Sequence, residues 1–285
     1  ALPFQIGPYT LVREIGKGAS CIVYQAIHEQ YEEKFAVKVI GAHVPDTQVI
    51  QDIFRSEICS LMQLDHPNIV RIYNYYNQDD RFFIVLEYCP NGTVEDLINT
   101  QNGLCKSLFW QVAGSVTSAL SYSHSRGVAH LDIKPSNVLL REDNRVALAD
   151  FGLSSIAQGG LTDKHAGTRG YAAPELFRKC AYNPFKSDVW SLGILFFYLC
   201  TGSTLFVDFN RMDAWYIIKQ NVLEQIGCFD DQFSKLILKM LDFDPDRRPS
   251  MEEVRESLIQ IHKVHLPKVC SFNSYRSSIR IKVQH

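Results

Sequence analysis

At 285 residues the chain is long enough for a large buried core and for two lobes, and its 46% apolar and 21% charged residues are ordinary for a soluble globular protein. The net charge of −2 hides an asymmetry, because no acidic residue follows Glu256 while five Lys or Arg do. Nothing resembles the broad basic surface of a nucleic-acid binder, so no nucleic-acid partner is expected. The eight cysteines (21, 59, 89, 105, 180, 200, 228 and 270) contain no C-x-x-C pair. That scatter suits reduced thiols in the cytoplasm better than a disulfide scaffold or a zinc site. No signal peptide is visible, and a chain beginning at Ala reads as a trimmed fragment.

Residues 9–40 read as strands: Tyr9–Ile15, Ile22–Ile27 and Phe35–Ile40, with Gly16-Lys17-Gly18-Ala19-Ser20-Cys21 between the first two. A G-x-G between two strands is not the dinucleotide fingerprint, which needs a helix after the glycines, and no Walker A motif occurs. Gln48–Leu64 has helical spacing and stops before Asp65-His66-Pro67-Asn68, where proline excludes further helix. Strands are expected at Ile69–Tyr75 and Phe82–Glu87, then a turn at Pro90-Asn91-Gly92. Leu108, Val112, Val116 and Leu120 step by four, which predicts a long core helix over 104–125. A short hairpin, Val138–Leu140 and Arg145–Leu148, follows around Asp143-Asn144.

Lys186–Cys200 reads as an apolar helix opening with Asp188. The apolar run from Val189 to Phe209 is broken by Gly193, Thr201, Gly202 and Ser203 and holds Asp208, so no membrane span is expected. Ser250-Met251-Glu252-Glu253 is a capping box that starts a last helix to about His262. Residues 263–285 form a basic, Ser-rich tail, expected to be flexible and able to take a regulatory partner.

The stretch with most chemistry is His130-Leu131-Asp132-Ile133-Lys134-Pro135-Ser136-Asn137. It places a carboxylate, an ammonium and an amide within six residues, a set suited to phosphoryl transfer. The Asp orients a hydroxyl, the Lys neutralises phosphate charge and the Asn can ligate a metal. Asp150-Phe151-Gly152 follows and supplies a second hard oxygen donor for Mg²⁺. Ala173-Pro174-Glu175 lies downstream, preceded by Gly167-Thr168-Arg169-Gly170-Tyr171.

On these motifs, in this order and over residues 9–262, the chain resembles a eukaryotic-type serine/threonine protein kinase catalytic domain. The resemblance implies an α+β bilobal fold. A small antiparallel sheet with one helix spans about 9–87, and a larger mainly helical lobe spans about 90–262. It implies ATP and Mg²⁺ as cofactors and protein Ser/Thr hydroxyls as substrates. ATP would be held by Ile15, Gly16, Lys17, Gly18, Val23, Ala36, Lys38, Glu57, Glu87, Cys89 and Leu139. Asn137 and Asp150 would hold the metal, and Asp132 and Lys134 would be catalytic.

The resemblance also implies a Lys38–Glu57 ion pair, a gatekeeper at Leu86 and a backbone adenine contact from Glu87 to Cys89. Asp188 would hold the loop backbone; a plain helix N-cap is the alternative, and the two roles are compatible. Thr168 would pack on Asp132 and Lys134, and Arg248 would pair with Glu175. Lys134 favours a Ser/Thr over a Tyr kinase. The overall pattern leans towards the calcium/calmodulin-dependent and AMP-activated-like group, though no calmodulin-binding helix or EF-hand is evident.

The chain departs from the pattern at Cys21, in place of a third glycine, and at Leu131, in place of the arginine before the catalytic Asp. Cys21 reads as a small strand residue, with a thiol open to oxidation as the alternative. Leu131 cannot bind a phosphate on the activation segment. A partner-binding scaffold without turnover is the competing reading, opposed by the complete set Lys38, Glu57, Asp132, Lys134, Asn137 and Asp150.

Overall fold

The computed structural model describes residues 2–18, 21–41, 47–78, 81–101, 104–156, 161–162, 167–178, 181–205, 214–226 and 231–262. Cys180, Cys228, Cys270 and the tail 263–285 lie outside the described residues. The chain divides into two compact units. One takes in the described residues up to Gln51 together with Arg71–Tyr88; the other takes in Asp52–Val70 and the described residues from Cys89 on.

The first unit is a six-stranded antiparallel sheet in the order β1-β2-β3-β4-β6-β5. Its strands are β1 (Phe4–Ile6), β2 (Tyr9–Lys17), β3 (Cys21–His28), β4 (Lys34–Ile40), β5 (Ile72–Gln78) and β6 (Arg81–Glu87). Strand alternation sorts side chains onto two faces. One face carries the core cluster Ile6, Tyr9, Leu11, Ala26, Phe35, Val37, Val39, Phe83 and Val85, with Tyr73 and Tyr76 packed against it. Tyr9 stands edge-on to Phe35 at 5.2 Å, and burial pushes its phenol up to about 12. β1, unannounced by any sequence pattern, extends the edge by pairing Phe4 with Leu11 and Gln5 with Thr10.

The sequence places a strand at Ile69–Tyr75, but the strand begins at Ile72. Ile69 instead makes a parallel bridge to Leu148, and Val70 donates to the Leu148 carbonyl at 2.9 Å. Ile69 and Val70 of the expected strand are thus drawn into the second unit's packing, while Arg71 stays with the sheet.

The second unit is mainly helical. α1 (Thr47–Met62) enters it, followed by α2 (Val94–Gln101), α3 (Lys106–Ser125), α4 (Pro184–Thr201), α5 (Ala214–Ile226), α6 (Asp231–Met240) and α7 (Met251–His262). α3 and α4 are its centre, with Phe109, Val112, Val116, Leu120, Trp190, Leu195 and Phe196 buried. Asn183 caps α4, its side chain accepting from the amides of Phe185 and Lys186. α7 starts on the expected capping box: Ser250 N and Oγ donate to the Glu253 carboxylate at 2.7 and 2.8 Å, and Glu253 N donates back at 3.3 Å. The small strands are β7 (Val128–Ala129) paired with β10 (Ser155–Ile156), and β8 (Val138–Leu140) paired with β9 (Val146–Leu148). Among the described residues no helix is long and apolar enough to cross a membrane.

After α1 the chain turns on His66. Its Nδ1 accepts from Asn68 N at 3.0 Å, which leaves Nε2–H for Ser118 Oγ at 3.1 Å. Burial first, then the Arg141 cation, lowers His66 from its ordinary value of 6.5 to about 4. The folded unit therefore favours the neutral ring, and the unfolded chain takes up the proton first. Stability present above pH 6.5 is lost as the pH falls towards 4, by about 2–3 kcal/mol. Denaturant titrations across that window should show a steeper loss for the native protein than for His66→Gln.

Candidate active site

The catalytic stretch begins where α3 ends and β7 delivers the chain to His130. Leu131 adopts a left-handed backbone, φ 65°, although it is not glycine. Asp188, on α4 and fully buried, holds it there. Its Oδ1 accepts from Leu131 N at 2.8 Å, and its Oδ2 accepts from His130 N at 2.7 Å and His124 Nε2 at 2.8 Å. The plain N-cap alternative for Asp188 fails, because Asn183 occupies that role. His130 is buried as well. Its Nδ1 accepts from Asp132 N at 3.2 Å, so Nε2 carries the proton donated to Ala149 O at 3.0 Å. Its ring lies 4.5 Å from that of the buried Phe151. One imidazole thus joins the Asp132 loop to the Asp150-Phe151-Gly152 turn.

Asp132 accepts four hydrogen bonds. Thr168 N and Oγ1 reach Oδ1 at 3.1 and 2.8 Å; Lys134 Nζ and Asn137 Nδ2 reach Oδ2 at 2.6 and 3.2 Å. Since Thr168 Oγ1–H is spent on Asp132, its lone pair receives Lys134 Nζ at 2.9 Å. Asn137 Nδ2 also donates to the Asp132 carbonyl at 2.8 Å, and both of its acceptors are oxygens, which fixes the amide orientation. The Asn137 Oδ1, the atom a hard cation takes, is the one not committed to Asp132. Asp150 has a left-handed backbone, φ 65°, at the start of the 3₁₀ turn Phe151–Leu153. An amide oxygen and a carboxylate on neighbouring short elements form a donor set that fits Mg²⁺. Glu57 lies fully buried on α1 in this same unit, and Leu139 is half-buried on β8, bridged to Thr93.

Four nucleotide candidates of the sheet unit, Gly16, Val23, Ala36 and Lys38, share one face by register. Gly16 pairs with Val23, Val23 with Lys38 and Ala36 with Leu86, and residues directly opposite point to the same side. That face is the one opposite the aromatic core. Lys38 is 7% exposed on it. Ile15, 40% exposed, sits at an irregularity in β2 between Glu14 and Gly16, and Lys17 ends the strand. Gly18 N donates to Cys21 O at 2.8 Å, and a Cβ on Gly18 would meet Cys21 Sγ at 3.1 Å. The small thiol at the departed glycine position thus packs against the glycine that remains. Glu87 donates its amide to Arg71 O at 2.9 Å.

The peptide platform is anchored from below. Arg248 donates to Glu175 Oε1 and Oε2 at 2.6 and 2.8 Å, with both side chains buried, and its guanidinium lies 5.0 Å from the Trp190 ring centroid. Gly167, φ 123°, passes so close to Leu131 O that a Cβ would stand 2.9 Å from it. Leu131 itself packs with Ala129 and Tyr182, flanked by Leu176 and Phe185. Sequence reasoning gave no sign of this cluster, of His124, or of the buried hydroxyls Ser60 and Ser154, because an isolated Ser, His or Tyr carries no spacing signal.

These loops, strands and anchors are those of a protein kinase catalytic domain. The family described as protein kinase domain matches residues 9–258, and the chain belongs to it. Over 253 residues it is 31% identical to CBL-interacting protein kinase 14 of Oryza sativa subsp. japonica, covering 87% of this chain and 58% of that protein. It is equally 31% identical over 253 residues to CBL-interacting serine/threonine-protein kinase 2 of Arabidopsis thaliana, covering 87% and 55%. The chain therefore spans little more than half the length of these relatives.

Removing either member of the buried Arg248–Glu175 pair strands a charge. Glu175→Ala should lower unfolding stability by about 3–5 kcal/mol in denaturant titration, where an exposed pair would cost under about 1 kcal/mol.

Proposed function

We propose that the chain is an ATP-dependent serine/threonine protein kinase, which transfers the γ-phosphoryl group of ATP to protein hydroxyls. The observation that carries this reading is the saturated Asp132 carboxylate with Lys134 seated on its Oδ2 at 2.6 Å. A substrate hydroxyl takes a place on that oxygen when one of its two present donors, Lys134 or Asn137, leaves. Lys134 is the donor with somewhere to go, since its ammonium pairs with the phosphoryl oxygens once ATP is bound. Lys134 and the incoming hydroxyl thus exchange places. The hydroxyl oxygen then forms its bond to the γ-phosphorus, the bond to the β,γ-bridging oxygen breaks, and the hydroxyl proton goes to Asp132 Oδ2. Thr168 holds Oδ1 and keeps the carboxylate from rotating. Asn137 and Asp150 would hold Mg²⁺, which would offset the phosphate charge. Lys38 would hold the α- and β-phosphates, and Gly16 and Gly18 let backbone N–H groups approach them.

Leu131 makes this a kinase of the type lacking the arginine before the catalytic Asp. A Leu pocket offers no charge to a phosphorylated residue. Thr162 is held instead by its pairing with Tyr182, N to O at 2.9 Å in both directions, and Tyr182 packs on Leu131. Ser154 is 1% exposed and Thr168 is tied to Asp132, so neither presents a free hydroxyl for modification.

The tail beyond His262 takes a regulatory protein partner in this reading, supported by its excess of Lys and Arg and by the relatives' names. A cytoplasmic setting is supported by the free thiols of Cys59, Cys105 and Cys200, the last pushed up to about 12 by burial.

Incubation with γ-labelled ATP, magnesium and a generic Ser/Thr protein substrate should transfer label. Asp132→Asn should lose about 10²–10⁴-fold in kcat while still binding ATP. Thr162→Ala should still transfer label, because the pairing with Tyr182 is made by backbone atoms on both sides and needs no phosphate on Thr162. A loss in Thr162→Ala that Thr162→Glu restores would refute phosphate-independent ordering, and wild type that labels nothing would refute the kinase reading itself.

A further inference from the structure

Residue 154, two positions after the Asp150-Phe151-Gly152 turn, is held at both ends by helix α1. Ser60 Oγ lies 2.7 Å from Ser154 Oγ, and Ser56 Oγ donates to the Ser154 carbonyl at 2.9 Å. Ser56 and Ser60 stand one helical turn apart on a single face, and Glu57 falls between them. Ser60 is fully buried and Ser154 is 1% exposed. The proton order is determined. Ser154 Oγ donates to Phe151 O at 2.5 Å, so its one hydrogen is spent and Ser60 must be the donor to it. Ser154 N gives the Phe151 carbonyl a second bond at 3.0 Å, which closes the turn.

We propose that Ser60, Ser154 and Ser56 are positioning residues for phosphoryl transfer. Together they form a hydroxyl strut that fixes the helix carrying Glu57 in register with the turn carrying Asp150. The inference rests on the kinase reading for its kinetic consequence, not for its geometry. Apolar packing between a helix and a turn allows sliding by a fraction of a turn; two directional bonds to the side chain and carbonyl of one residue do not. A buried hydroxyl pair also has no water to fall back on, so each partner is costly to leave alone. The strut therefore couples two groups that must both be placed before the triphosphate is: the lysine's counter-ion and a metal ligand.

The test is a double-mutant cycle with Ser60→Ala and Ser154→Ala, read by kcat and KM for magnesium-ATP and by amide hydrogen exchange over 151–154. Each single variant should raise KM for ATP about tenfold and speed exchange at those amides by a similar factor, and the double should be no worse than the more damaging single. Ser56→Ala, which removes only the half-buried bond to the carbonyl, should show a smaller change of the same kind. It keeps the test open if a core variant folds poorly. Additive effects, or a lowered melting temperature with native KM and native exchange at 151–154, would overturn the strut. Wild type that fails to transfer phosphate would sink the kinase reading, and the exchange cycle would still decide the coupling.

Discussion

The site depends on one buried carboxylate. Asp188 takes the amide hydrogens of His130 and Leu131 and the Nε2–H of His124, with no exposure to solvent. A left-handed non-glycine residue costs of the order of 1–3 kcal/mol and persists only where its surroundings enforce it. Here the enforcement is two charge-assisted hydrogen bonds from a rigid helix, at the point where the chain reverses to present Asp132. Without that kink, Asp132, Lys134 and Asn137 would follow β7 as an ordinary extension. With it, Asp132 faces Thr168, and Gly167 is forced to pass Leu131 O too closely for any side chain.

From this fixed point the polar groups of the site are satisfied outward, each by the next. His130 ties the loop to Ala149, Thr168 ties Asp132 to the platform, and Arg248 ties Glu175 to α4 through Lys186 O at 2.9 Å. Such networks add little net stability over apolar packing, but partial loss is costly, which makes the geometry nearly all-or-none. Leu131 is the one place where apolar contact replaces a charge. The same kink that strains its backbone turns its side chain into the Ala129–Tyr182 cluster.

How much of this was legible in the sequence varies with what each element rests on. The long helix over 104–125 was readable because its apolar period from Leu108 to Leu120 extends over more than three turns, and the observed bounds are Lys106–Ser125. The Ser250–Glu253 box was readable because its chemistry is local. β1 and α2 were not, being three and eight residues long and stabilised by the neighbours they pair or pack with. The strand expected from Ile69 failed for a related reason: its apolar start bonds Leu148, a partner more than seventy residues away.

The sequence by itself determined the chemistry. An Asp, a Lys and an Asn in one loop, a second Asp, a lysine on a strand and a glycine hairpin are residue identities, and residue identity fixes charge, donor and acceptor. Only the tertiary structure decided how those groups are held. It showed that Asp188 acts on the loop rather than capping its helix, that Asp132 accepts from Thr168, Lys134 and Asn137 together, and that three serines bind α1 to the segment after the Asp150 turn. Hydrogen bonds between residues separated by 50 to 100 positions leave no periodic or compositional trace. They exist only once packing brings the partners within 3 Å of one another in a place where water cannot substitute.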